Sequence, residues 1–325
     1  MPEANYTARV SIGLPVFNGE EYIEAALDSI LNQTYSDFEL IIVDNASTDQ
    51  TPQICREYEA KDKRIRYYRN KVNIGAVANF NRAFKFSSGE YFKWAAHDDV
   101  HAPEFLAKCI NILDSNPSIV LCHSKTGRID EHGKLVGTYN YKARSDSIKP
   151  HERFGDLIAE HAQADSWVLL FGLIRADVLG RTQLFGKYIG ADVNILAEIS
   201  LFGRIYEIPE LLFFRRSHQQ AYSNRASDKK FSIEEEMSWW TQNHTFFSEW
   251  WRIYIEYFKS VRRSPLKWSE RLLCYAQIFK WIIKRGWIRM LADVGVYFFT
   301  YSRLGIKLAP FVKRIRNAHR RRRIK

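Results

Sequence analysis

An α/β fold on a mostly parallel central sheet flanked by helices, with a helical extension at its C-terminal end, is the class this sequence predicts. Three observations predict it. Strand-like and helix-like patterns alternate from residue 10 to residue 123, the rhythm of βαβ units. Right-handed crossovers in such units gather the strand C-termini at one edge, and Asn18, Asp44 and Asp98 each fall at or just past a strand end. From about residue 221 the strand patterns stop and the chain reads as helix.

Each element has its own warrant. Val10-Ser11-Ile12-Gly13-Leu14-Pro15 is a short apolar run halted by proline, the first strand. Asn18 with Glu21 three residues on has the arrangement of a capping box. The helix expected after it places Ile23, Ala26, Leu27, Ile30 and Leu31 on one face. Residues 38–43 form a second strand ending at Asp44, and Thr51-Pro52 starts a helix with proline where it is tolerated. Ile54 and Tyr58 supply the apolar face of that helix. Strands at 65–69, 91–96 and 119–123 alternate with helices at 76–86 and 103–113. Past residue 124 the pattern loosens. Residues 127–150 read as loop or hairpin punctuated by Gly127, Gly133 and Gly137, and 167–174 as a buried strand. Gly190-Ala191-Asp192 opens a helix bearing Ile195, Leu196 and Ile199, and 205–214 is strand-like.

The composition bounds the class. A chain of 325 residues with 46% apolar and 14% aromatic content builds a sizeable core, which excludes global disorder. Residues 1–220 carry 25 Lys+Arg against 29 Asp+Glu, a net of −4, whereas 221–325 carry 23 against 8, a net of +15. Seven of the nine tryptophans also fall in that last third, so the boundary between main domain (1–220) and extension (221–325) is placed there. Cys55, Cys109, Cys122 and Cys274 form no CxxC pair and no zinc spacing, and read as buried thiols of a reducing compartment. Met1-Pro2-Glu3-Ala4-Asn5 lacks the basic start of a signal peptide, so a cytoplasmic location is expected.

His97-Asp98-Asp99 follows the aromatic run Tyr91-Phe92-Lys93-Trp94-Ala95-Ala96 at the tip of the fourth strand. In open α/β sheets the ligand crevice lies at that edge. Hard carboxylate oxygens there suit Mg2+ or Mn2+, and such an ion suits a diphosphate. The dipeptide alone also reads as an Asp-rich turn capping the helix near Pro103. The polar groups at the other strand tips favour the site.

At this point the residues resemble the family 2 glycosyltransferases of the GT-A fold, mostly inverting enzymes that use nucleotide-diphosphate sugars. The similarity covers most of residues 8–220 and is densest over 10–104. Val10 to Asn18 matches the family's opening strand and its Pro-x-Tyr-Asn motif. Val43-Asp44-Asn45-Ala46-Ser47-Thr48-Asp49 resembles its Val-Asp-Asp-x-Ser-x-Asp loop. Asn73-Ile74-Gly75 and Gly89-Glu90-Tyr91 stand at the family's spacing before the acidic motif.

The resemblance implies roles. Donor binding falls on Pro15, Val16, Phe17, Asn18, Glu20, Asp44, Asn73, His97 and Asp98, with Asp44 accepting from a pyrimidine N–H of a UDP- or dTDP-linked sugar. The family's Asp-x-Asp pair maps onto Ala96 and Asp98, which makes Asp98 the metal ligand, Asp99 its neighbouring or capping partner, and His218 a further ligand. Two departures stand out: Ala96 replaces an acid that often contacts the ribose, and Phe80 replaces an arginine-like position. Asp192 falls where the family carries its general base, which would deprotonate an acceptor hydroxyl on a glycan or lipid-linked glycan. One base and no protein nucleophile imply single displacement with inversion. The bland alternative for Asp192 is an aspartate favoured by the helix dipole.

The basic third carries its own expectation. The longest charge-free stretches, 272–279 and 294–302, fall far short of the ~20 apolar residues that span a bilayer. Their flanks hold Lys280, Lys284, Arg285, Arg289, Arg303 and Lys307, with Trp281 and Trp287 among them, a pattern suited to an anionic membrane surface. An ordinary packed helical subdomain fits the same pattern. Nucleic-acid binding through 313–325 is disfavoured because no recognition motif accompanies it. Nucleotidyl transfer on sugar phosphates is disfavoured because Pro15-Val16-Phe17-Asn18-Gly19 is not a Gly-rich basic loop.

Overall fold

A computed structural model describes residues 7–140, 145–160, 166–188, 190–219 and 249–287. Its parallel half follows directly from the apolar runs. Strand β1 (Val10–Val16) is buried at every position and lies between β2 (Phe38–Asp44) and β4 (Tyr91–Trp94), both parallel to it. Strand β3 (Ile65–Arg69) pairs parallel on the outer side of β2. The crossovers are helices α1 (Ile23–Leu31), α2 (Thr51–Lys61) and α3 (Ala76–Lys85). In α1 the buried face is Ile23, Ala26, Leu27 and Ile30, with Leu31 half-buried beside it.

The second half is mixed. Its elements are β5 (Val100–His101), α4 (Phe105–Ser115), β6 (Ile119–Ile129), β7 (Leu135–Thr138), α5 (Pro150–Glu160), β8 (Leu173–Arg175), α6 (Ala176–Gly180), α7 (Ala191–Phe202) and β9 (Arg204–Arg216). Among the described residues the sheet runs β3-β2-β1-β4-β8-β6-β9-β5, with β7 hairpinned on β6. The long β6–β9 ladder is parallel. The antiparallel contacts of β8 with β4 and β6, and of β5 with β9, involve only two residue pairs each, so the sheet remains mostly parallel.

Three local expectations need correction. Asn18 does not cap α1. It sits at φ 50°, the helix starts at Ile23 without a side-chain cap, and Asn18 Oδ1 instead accepts from the Thr48 amide at 2.9 Å. The apolar run 167–174 is not one strand: Ser166–Phe171 is a 3-10 turn, and only Leu173–Arg175 joins the sheet. Gly172 sits at the change, where a Cβ would lie 2.6 Å from the Cys122 carbonyl oxygen. Helix α5 had no counterpart in the sequence reading, which stopped at a loop or hairpin. The hairpin itself is present, turning at Gly133 with φ +82°.

Two helices follow, α8 (Glu249–Arg263) and α9 (Trp268–Trp281), in line with the helical expectation for the last third. Ile253, Tyr257, Val261, Cys274, Ile278 and Trp281 join the same hydrophobic core as the sheet. Phe154 of α5 meets Tyr257 edge to face at 5.8 Å. Arg263 reaches the fully buried Glu198 of α7 at 2.8 Å. Among the described residues no helix is long and apolar enough to cross a membrane. Met1–Asn5, Trp239, Trp240, Arg289, Arg303, Lys307 and the stretches 294–302 and 313–325 lie outside the described residues. All four cysteines are buried free thiols, as their spacing implied.

Candidate active site at the strand ends

Strand β4 ends as Ala95 donates its amide to the Gly13 carbonyl, after which the chain turns out of the sheet. Asp98 and Asp99 lie in that turn and meet the end of β9. Asp99 is buried, and its Oδ1 accepts the Arg216 amide at 2.9 Å. The Asp98 carbonyl accepts from Arg216 Nε at 3.0 Å. Arg216 therefore holds both aspartates to β9, while the Asp98 carboxylate keeps 18% of its surface exposed. The two neighbours also differ in charge. Burial works to raise Asp98, but His97 and His218 outweigh it and hold the carboxylate below its ordinary range. Burial and the charge of Asp98 push Asp99 upward. Asp98 is the anion; Asp99 is the brace.

His218 lies just beyond β9, its Nε2 3.0 Å from Asp98 Oδ2. Tyr22, at the start of α1, covers this pair: its ring centroid is 4.6 Å from that of His218 and 5.0 Å from the Arg216 guanidinium. The 3.0 Å separation of His218 Nε2 from Asp98 Oδ2 is an ordinary hydrogen bond between the two side chains. A divalent ion held by both side chains would take the place of that hydrogen bond. The carboxylate oxygen suits Mn2+ or Mg2+, whereas the imidazole nitrogen fits a transition metal better than Mg2+, and no group of three or more such side chains placed for a metal occurs among the described residues. Substrate and water oxygens would complete the shell.

His97 packs against the loop after β1. A Cβ on Gly19 would fall 2.6 Å from His97 Cδ2, so only glycine admits the ring there. That loop is locked to the loop after β2. Asn18 N donates to Ser47 Oγ, Gly19 N to Thr51 Oγ1 and Glu20 N to Asp49 Oδ2, while Glu20 Oε2 accepts from the Gln50 amide. Asn18 and Glu20 thus shape the loop pair, and Phe17 is the exposed apolar side chain on it, beyond the buried Pro15 and Val16.

Asp44 lies fully buried at the end of β2, and three of its roughly four acceptor sites are occupied. Oδ1 takes the Ser47 amide at 2.8 Å; Oδ2 takes Tyr67 Oη at 2.7 Å and Arg69 Nε at 3.1 Å. Beside it runs a chain of amides. Asn45 donates to Asn73 Oδ1, Asn70 donates to both Asn45 and Asn79, and Asn79 donates to the Val43 carbonyl. Asn73 also accepts from the Gly75 amide, tightening the turn into α3.

Asp192 stands in the first turn of α7 after Gly190, whose φ of 85° needs a glycine. Its Oδ1 accepts from Val193 N at 2.9 Å, and burial raises its pKa to about 6. Tyr257 of α8 is close enough for the two charges to interact. The structure therefore gathers Asp98, Asp99, Arg216 and His218 in one cluster, and interlocks Asn18 with Glu20. Asp44 and Asn73 lie at the adjacent strand tip, and Asp192 lies on the helical side.

Several contributors escaped the sequence reading. Arg216 was visible only as part of an Arg-Arg-Ser-His string, and Tyr22 gave no signal at all. Lys93, fully buried inside β4, donates to the Phe171 carbonyl, and burial pushes its pKa down to about 7. A lysine in a strand reads as solvated until the second half of the sheet is placed over it.

Comparison with known proteins identifies the family. The family model "Glycosyl transferase family 2" matches residues 11–170. An uncharacterized glycosyltransferase of Rickettsia prowazekii is 39% identical over 247 residues, covering 72% of this chain and 72% of its own length. One of Haemophilus influenzae is 36% identical over 242 residues, covering 70% and 72%. The crystal structure of S. aureus TarS 1-349 in complex with UDP-GlcNAc superposes with a TM-score of 0.61 at 16% identity, covering 92% of this chain and 83% of that one.

Proposed function

The chain belongs to glycosyl transferase family 2 with a GT-A fold, and on that premise we propose that it moves a sugar from a nucleotide-diphosphate donor to a hydroxyl acceptor by single displacement with inversion. The observation that carries this reading is the Asp98–His218 pair, 3.0 Å apart with the carboxylate partly open, at the strand ends where the donor diphosphate would lie. A divalent ion held by Asp98 and His218 would stabilise the negative charge that develops on the departing diphosphate.

The remaining roles belong to side chains. Arg216 and Asp99 fix the Asp98 backbone so that its carboxylate points outward. Phe17 and the backbone of Pro15 and Val16 pack against the base, on loops that Asn18 and Glu20 hold in place. Asp44 would accept the N–H of uracil or thymine at the remaining site of Oδ1 or in place of Arg69 Nε, the longest of its three contacts. Asn73 positions the turn beside that base. His97 fills the place beside Gly19 and takes the ribose contact that Ala96 cannot make. Asp192, with its raised pKa, takes the hydroxyl proton of the acceptor, a glycan or lipid-linked glycan of cell-surface polysaccharide or glycolipid synthesis.

The test begins with thermal stabilisation by a panel of nucleotide sugars with Mn2+, which identifies the donor. Asp98→Ala is then expected to weaken metal-dependent donor binding in calorimetry. Asp192→Asn is expected to abolish transfer while donor affinity stays nearly unchanged. Turnover retained by Asp192→Asn would remove it from the base role.

A further inference from the structure

Of the thirteen large apolar side chains left exposed among the described residues, eight lie between Trp251 and Trp287. They are not scattered. Trp268, Leu272, Phe279, Ile283 and Trp287 follow helical spacing along α9 and the turn after it, opposite the buried Cys274, Ile278 and Trp281. The stripe is about 30 Å long at the rise of a helix, and its barest residues are Trp268 at 67% and Ile283 at 71%. Phe258 of α8 touches Phe279 at 5.7 Å, so Ile255 and Trp251, one and two turns back on α8, extend the same face.

Charge identifies what covers it. Residues 249–287 hold nine Lys+Arg against three Asp+Glu. Of the three acids, Glu256 is paired with Lys259, and Glu270 is spent on the cap of α9, accepting from the Lys267 amide. Lys280 and Lys284 are exposed and follow the apolar stripe on one side. The chain after residue 287 adds eleven Lys+Arg against one Asp+Glu. A second copy seated on this face would oppose one basic surface with another. A nucleic acid would satisfy the bases but leave Leu272 and Ile283 against a charged polymer. An anionic bilayer takes both: apolar side chains enter the acyl boundary and ammonium groups stay among the headgroups.

We propose that the outer face of α8 and α9 docks on an anionic lipid bilayer, lying in its interface without crossing it. The docking stands apart from the transfer reaction, so Asp192→Asn protein is expected to dock like the parent chain. The experiment is sedimentation of the full chain with vesicles of phosphatidylcholine alone and of phosphatidylcholine mixed with phosphatidylglycerol. The mixed vesicles are expected to retain the protein and the neutral ones to retain much less. Combining Leu272→Asp, Phe279→Asp and Ile283→Asp is expected to lower partitioning about tenfold or more, and Lys280→Glu with Lys284→Glu to do about the same. These side chains are solvent-exposed, and circular dichroism checks that the variants fold. A second readout needs no destabilising change: tryptophan emission shifts to the blue on mixed vesicles, and Trp268→Phe with Trp287→Phe removes most of that shift. Undiminished sedimentation of the triple apolar variant overturns the proposal. So does equal retention by neutral vesicles, or a gel-filtration dimer that the triple variant dissolves while the parent chain ignores vesicles.

Discussion

Asp192 and Asp98 are two carboxylates pushed in opposite directions by their surroundings. Burial raises Asp192 to about 6, against the opposing hydrogen bond from Val193 N. Two imidazoles hold Asp98 down. A base works only when deprotonated, so kcat/KM for transfer is expected to fall as pH drops through about 6, close to tenfold per pH unit below it. An acid limb near pH 4, the ordinary carboxylate value of about 3.9, would mean that burial does not set the activity of this group. The measurement is a pH-rate profile at subsaturating substrate. Asp98, Asp99, His218 and Asp192 were all legible as residues because each lies in a short contiguous motif. Their partners were not. Arg216 reaches Asp98 and Asp99 across 118 and 117 positions, and Tyr22 comes to His218 only when α1 and β9 converge. The sealing of Asp44 by Tyr67 and Arg69 depends on the β2–β3 register, which periodicity does not determine.

At the level of elements, α7 carries Asp192, the base we propose, and is buried on nearly every side. Such a helix has little amphipathic pattern, and its boundaries were readable mainly from Gly190 and from the apolar run. Its one fully buried charge, Glu198, is answered by Arg263 of α8 through two contacts of 2.8 and 3.0 Å. Removing the guanidinium strands a carboxylate in the core, so Arg263→Ala is expected to cost about 3–5 kcal/mol in urea unfolding. Adding Glu198→Gln should restore much of that loss, and an unchanged double mutant would show that the pair is not what holds α8 to α7. Strands β1, β2 and β4 are legible in sequence because they are continuous apolar runs buried at every position, and α1 because it buries one apolar face; β3 and α2 bury little and are marked by their place in the alternation. Strand β5 is two residues long and β8 three, too short for any period to declare itself. Helix α5 hides Phe154, Leu157 and Ile158 among charges, and contact with α7 and α9 makes those residues core.

For the molecule as a whole, the question is whether the basic last third is an appendage or part of the folded unit. Charge and tryptophan content place a boundary near residue 220, because the surface composition changes there. Surface composition does not report what lies beneath. Helices α8 and α9 send Ile253, Tyr254, Tyr257, Val261, Cys274, Ile278 and Trp281 into the core shared with the sheet. At roughly 1.5–3 kcal/mol for each large apolar side chain buried, that contribution is on the order of 10 kcal/mol before the entropy of ordering the two helices is subtracted. A domain's entire stability is typically about 5–15 kcal/mol. A chain ending at residue 220 is therefore expected to lose fixed packing: near-UV circular dichroism collapses, a hydrophobic dye binds, and cooperative melting disappears. If that shortened chain instead melts cooperatively at the full-length midpoint, the last third is a separable module and the core of residues 7–219 is self-sufficient. The same helices thus face two ways, with one side closing the core beneath Asp192 and the other presenting the apolar and basic stripe.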